Sequence, residues 1–157
     1  MQNLEQLLET YGNSHQNHTN KLIHWICVPS IMFSLTGLLM AIPFPFVSEK
    51  SLFFNWAFIS FIFAWIYYMR LSLLMFIFFI GIGALMLWGN FQIYEAAGTN
   101  GKHAFISFAI FAVAWTGQFI GHKIEGKKPS FLQDLQFLLI GPAWLLHFIF
   151  DRIGLKY

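Results

Sequence analysis

Three of the six histidines fall within ten residues, in His15-Gln16-Asn17-His18-Thr19-Asn20-Lys21-Leu22-Ile23-His24, just ahead of a long apolar run. A fourth, His122, closes another apolar run in Gln118-Phe119-Ile120-Gly121-His122-Lys123-Ile124-Glu125. Neutral imidazole ligates zinc, iron, copper and nickel. Several imidazoles together with no sulfur ligand point to zinc or a redox metal. Gln118, His122 and Glu125 are spaced i, i+4, i+7, so they share one helical face. The N-terminal spacing is not a sharp code. His18 and His24, six apart, do not share a helical face; His15 and His18 do if their loop is helical; His15 and His24 need a turn between them. Two readings of these residues stay open. In one they hold a metal. In the other they cap helices and bond to lipid headgroups, with Glu125 as the salt-bridge partner of a nearby lysine. His147, in the last apolar stretch, is a further candidate ligand.

Other chemistry lacks its residues. The single cysteine, Cys27, excludes an intramolecular disulfide, cysteine-based zinc motifs and iron–sulfur clusters; it reads as a small apolar helix residue. There is no glycine-rich phosphate loop and no Gly-x-Ser-x-Gly elbow. Six histidines are too few for the multiple histidine boxes of di-iron desaturases, so at most one ion is well supplied. The net charge of +2, with no basic block, gives no support for nucleic acid as a partner.

The elements that must position these residues are membrane elements. Of 157 residues, 57% are hydrophobic and 10% charged, against about 25% charged in a soluble domain. The chain is expected to be one all-α membrane domain (1–157), with four spans and a C-terminal helical segment. Residues 1–21 hold an amphipathic helix, with Leu4, Leu7, Leu8 and Tyr11 on one stripe and Glu5 and Glu9 turned away, lying on the membrane surface, followed by the histidine-rich loop. No signal peptide opens the chain, so the first apolar run is expected to act as its own insertion signal.

Residues 22–122 hold the spans. The first runs from Leu22 to about Ile42, kinked at Pro29 and ended by Pro43, Pro45 and Ser48-Glu49-Lys50. Leu52–Tyr94 would measure about 65 Å as one helix, twice the hydrocarbon thickness of about 30 Å. It must fold back, and Arg70 beside Tyr67 and Tyr68 marks the turn. A loop over Glu95–Lys102 leads to the fourth span, ending at His122. Residues 123–157 hold a basic loop (Lys123, Lys127, Lys128, Pro129) and an apolar stretch. That stretch, Phe131–Ile153, interrupted by Asp134, Gln136, Gly141-Pro142 and His147, reads as a broken re-entrant or interfacial pair of half-helices. The tryptophans read as interface anchors or packing residues.

Four spans place the N-terminus, the Arg70 turn and the segment after His122 on one side, with Lys21, Arg70, Lys123, Lys127 and Lys128. Lys50 and Lys102 fall on the other. The excess assigns the first side, termini included, to the cytoplasm, in a bacterial inner membrane or, in a eukaryote, the endoplasmic reticulum. His15, His18, His24, Gln118, His122 and Glu125 then lie at one boundary, while His103 lies at the other.

The pattern Tyr11-x3-His15-x4-Asn20-x3-His24, with Pro29 after it, and Gln118-Phe119-Ile120-Gly121-His122-x2-Glu125-x3-Pro129 resemble a small membrane family. That family contains the fungal iron(II)-dependent 2-hydroxy fatty acid dioxygenase of phytosphingosine breakdown and many bacterial members. The likeness runs over nearly the whole chain. It implies His15, His24 and His122 as ligands of Fe(II), with Asn20, Gln118 and Glu125 supporting them; Glu125 or Gln118 would orient an imidazole through its second ring nitrogen. His18 stands outside the family pattern, and His147 lies beyond the two motifs that carry the resemblance. The implied partners are the bilayer, a 2-hydroxy fatty acid and O2. A 2-hydroxy acid chelates through carboxylate and hydroxyl, and three histidines on one octahedral face leave two positions for that chelate and one for O2. Decarboxylation to the acid one carbon shorter removes four electrons, which O2 accepts, so no co-reductant is needed. Two alternatives are a non-catalytic lipid-binding or carrier protein with structural histidines, and a zinc lipid hydrolase. The near absence of polar residues in the second and third spans counts against transport. The sequence sets neither acyl length nor oligomeric state.

Overall fold

The computed structural model describes residues 4–45, 51–126 and 131–155, with side chains from 137 onward in the last segment. The described residues form six helices and no strand: α1 (Leu4–Gly12), α2 (His18–Ala41), α3 (Trp56–Leu71), α4 (Leu73–Ala97), α5 (Asn100–Glu125) and α6 (Phe131–Ile153). The expected break at 48–50, the basic residues Lys127 and Lys128 with Pro129, and the side chains of Asp134 and Gln136 lie outside the described residues.

Three helices, α2, α4 and α5, are long and apolar enough to cross a membrane. The shorter α3, at 16 residues, spans about 24 Å at 1.5 Å per residue. The fold-back between α3 and α4 comes two residues after Arg70, at Ser72. This residue is at once the C-cap of α3 and the N-cap of α4, where its hydroxyl accepts from the Met75 N–H. The loop expected over Glu95–Lys102 shrinks to Gly98 and Thr99. Gly98 ends α4 at φ 73°, a left-handed conformation that favours glycine, and Thr99 caps α5.

The amphipathic stripe of α1 is buried against α6. Leu4, Leu8 and Tyr11 join one core with Ile140, Ala143 and Trp144. α6 is also not the broken segment its sequence suggests: it runs unbroken through Gly141-Pro142. A proline removes one N–H from the ladder, here the one that would reach the Leu138 carbonyl four residues back. One residue on, the Tyr68 hydroxyl of α3 donates to the Leu139 carbonyl at 2.6 Å and ties this turn to α3. α2 likewise continues through Pro29, and Ser30 donates to the nearby Ile26 carbonyl.

The pairing that positions the site is α2 against α5, two antiparallel helices held close by small residues. A Cβ on Gly117 would come within 2.7 Å of the Cys27 sulfur, and one on Gly121 would collide with Asn20 Oδ1. Close approach at these two points brings the first turns of α2 against the last turns of α5.

Candidate metal centre

α1 stops at Gly12, which leaves its last carbonyls without helical donors. The chain turns there: Ser14 N–H donates to Tyr11 O and His15 N–H to Gly12 O. The turn swings His15 back over the end of α1, where its ring stacks on Tyr11 with centroids 4.2 Å apart. Asn17 then caps α2, its side chain accepting from the Thr19 and Asn20 N–H groups. His24 follows almost two turns later and points inward. His122 arrives from the last turn of α5.

Glu125 closes this junction. One carboxylate oxygen accepts from Gln16 N–H at 2.7 Å; the other accepts from Asn17 N–H at 2.9 Å and from the Asn20 amide at 3.0 Å. Three donors on residues 16–20 thus converge on one side chain of α5. A hydrogen bond to a charged acceptor is about twice as strong as a neutral one, so this clamp fixes the loop carrying His15.

His15, His24 and His122 are buried, at 2%, 1% and 8% exposure. One ring nitrogen from each lies within 4.8 Å of the others. His15 Nδ1 donates to Tyr11 O at 2.8 Å and His24 Nδ1 donates to Asn20 O at 2.9 Å. A carbonyl only accepts, so in each neutral ring the proton sits on Nδ1 and Nε2 carries a lone pair. Burial pulls the His15 imidazole down to about 4, which keeps it neutral at physiological pH. Yet the two Nε2 atoms face each other at 3.0 Å. Two lone pairs at that distance repel unless a metal ion or a shared proton lies between them.

The spacing suits a metal. Two imidazole nitrogens about 2.1 Å from one ion and at right angles to it stand about 3 Å apart. The residues present therefore fit a three-histidine metal site with further positions open. A cavity of about 30 Å³ adjoins the three rings, lined among others by Val28, Ile31, Met32, Gln118 and Pro142. That is room for one or two water-sized molecules, with walls that are largely hydrocarbon.

The other sequence candidates are placed differently. Gln118 lines the cavity. Asn20 is fully buried but reaches Glu125, with its oxygen against Gly121. His18 is exposed as the first residue of α2. His147 sits beside Asp151 at 3.4 Å in a separate groove with Glu5 and Glu9. Backbone carbonyls, not Glu125 or Gln118, hold the second nitrogen of His15 and of His24. Glu125 acts one step further out, on the loop. The sequence placed Tyr11 on the apolar stripe and at the head of the family pattern but gave it no part at the histidines, where it both stacks on His15 and supplies that carbonyl. The available signal was the repeated spacing of four, Tyr11 to His15 and Asn20 to His24.

A family model described as 2-hydroxy-palmitic acid dioxygenase Mpo1-like matches residues 1–153, and the chain belongs to that family. No curated protein and no solved structure matches the chain.

Proposed function

We propose that this member of the Mpo1-like family is an iron(II)-dependent dioxygenase that converts a 2-hydroxy fatty acid and O2 to the fatty acid one carbon shorter, carbon dioxide and water. The observation that carries the proposal is the pair of Nε2 atoms 3.0 Å apart, with His122 beside them, in a buried pocket that suits a metal ion. The C1–C2 bond of the substrate breaks; the acid loses four electrons and O2 accepts four. His15, His24 and His122 would hold the iron, which when bound supplies chelation of the carboxylate and hydroxyl and reactivity toward O2.

The chain's own residues do the rest. The Tyr11 and Asn20 carbonyls keep the Nδ1 protons in place and so keep both Nε2 atoms available as ligands. Glu125 and Asn20 hold the loop against α5. Val28, Ile31 and Pro142 limit water around the reacting carbon. Gln118, the amide in the cavity wall, donates to the substrate carboxylate. The apolar helices α2, α4 and α5, with α3 as a fourth crossing, seat the protein in the bilayer with this site at the cytoplasmic boundary, where an acid from the membrane reaches it head first.

The test is oxygen uptake by purified protein loaded with ferrous ion under anaerobic conditions and then given a 2-hydroxy fatty acid. The expected outcome is one O2 consumed per acid shortened, with the product one carbon lighter by mass spectrometry. Protein that retains a metal but consumes no O2 with any 2-hydroxy acid overturns the proposal.

A further inference from the structure

A second cavity, of about 180 Å³, lies where α2, α3, α4 and α6 meet. It shares two wall residues, Met32 and Leu138, with the cavity at the three histidines. Those two side chains are the partition between the spaces. On α2 the walls continue as one stripe: His24, Val28 and Met32 on the first cavity, then Met32, Leu35 and Leu39 on the second. These positions advance by three or four, so they follow one helical face. From His24 to Leu39 the stripe rises about 22 Å at 1.5 Å per residue, a length suited to a long alkyl chain.

The wall of the second cavity has an unusual chemistry. Four of its side chains carry polar groups, and each is turned onto a backbone carbonyl. Thr36 donates to Met32 O, Ser60 to Ala57 O, the Trp65 indole to Phe79 O and the Tyr68 hydroxyl to Leu139 O. The donors are thereby used up, and what faces the space is hydrocarbon. Such a cavity offers water few partners and suits an alkyl guest. Met32 suits a movable partition, since an unbranched thioether adapts its shape at low cost.

From this continuity we infer that the acyl tail of the substrate passes between Met32 and Leu138 and lies in the cavity bounded by Leu35, Phe61 and Tyr68, which sets the accepted chain length. The inference rests on the proposed 2-hydroxy acid substrate. The competing path is the larger groove of about 600 Å³ on the outer side of α2 and α5, around Ile26 and Val113. That groove shares no wall residue with the histidine cavity.

The experiment uses the full chain in lipid nanodiscs and a 2-hydroxy hexadecanoic acid with a terminal diazirine. Irradiation followed by peptide mapping is expected to place label within residues 32–39 of α2 or 60–68 of α3. Label around Ile26 and Val113, or no label above a non-hydroxylated, carboxyl-free control, overturns the inference. This readout needs no turnover, so an inactive but internally labelled protein would sink the dioxygenase reading and leave the tail path standing. A second arm measures kcat/KM against chain length. Leu35→Trp is expected to lower the ratio of long-acid to short-acid kcat/KM by about tenfold or more, whereas Val113→Trp leaves it unchanged; equal ratios in the two variants overturn the inference.

Discussion

The α2–α5 pair carries buried polar residues at both ends, and the two sets differ in one respect. At the end of α5 near His103, the Asn90 amide donates to Phe33 O at 2.9 Å and to Met86 O at 3.0 Å, while its oxygen accepts from His103 Nε2 at 3.3 Å. Every one of those contacts sets a donor against an acceptor. About 28 Å along α5, His15 and His24 set an acceptor against an acceptor. Burial is equally deep in both places: Asn90, His103 and His24 are all at 1% exposure or less. Depth therefore does not distinguish a structural histidine from a ligand. The count of protons does: the first cluster is complete as it stands, and the second takes a shared proton or a metal ion to complete it.

The largest effect should come from the pair of substitutions that opposes the two ends. His24→Ala or His122→Ala is expected to reduce metal content, measured by mass spectrometry on purified protein, to background. His103→Ala should leave content per folded molecule unchanged. Equal metal loss from all three would erase the distinction. Next in size is the outer clamp. Glu125→Ala frees the loop over residues 16–20 and is expected to weaken metal affinity by about 10- to 100-fold, with Glu125→Gln between it and the wild type, read by competition with a chelating dye. Removing the metal with a chelator should lower the thermal midpoint of the wild type, because an ion that binds only the folded chain stabilises it by mass action. The same treatment should not move the midpoint of His24→Ala. The smallest effect belongs to the complete cluster. Asn90→Leu is expected to cost about 1–3 kcal/mol by leaving carbonyl and imidazole without their partner, seen as a lower midpoint in detergent with metal stoichiometry intact.

Much of this arrangement is legible in the chain because membranes restrict the choices. Apolar runs of known length fix where helices lie, and the antiparallel packing of α5 on α2 brings His122 toward His15 and His24. The spacing of Gln118, His122 and Glu125 puts them on one face, yet it does not say what each touches. Glu125 meets backbone N–H groups of Gln16 and Asn17, and backbone donors have no signature in side-chain patterns. The partners of the imidazoles are hidden for the same reason. His147 and His18 look like ligands by residue type, but helical phase decides: one sits by Asp151 and the other faces outward. At Gly141-Pro142 the local signal for a break is real. The helix nevertheless continues, and a hydroxyl from 71 positions earlier in the chain ties the same turn to α3, a contact no local window contains.

The clamp between Gln16 and Glu125 joins positions 109 apart in the chain. At a synthesis rate of about 5–20 residues per second, the interval between making the two is about 5–20 s. During that interval the ribosome has delivered two imidazoles and withheld the third, together with the carboxylate that holds their loop. A half-made chain thus lacks both the third imidazole and the clamp, and the three-histidine cluster exists only once the polypeptide is nearly finished.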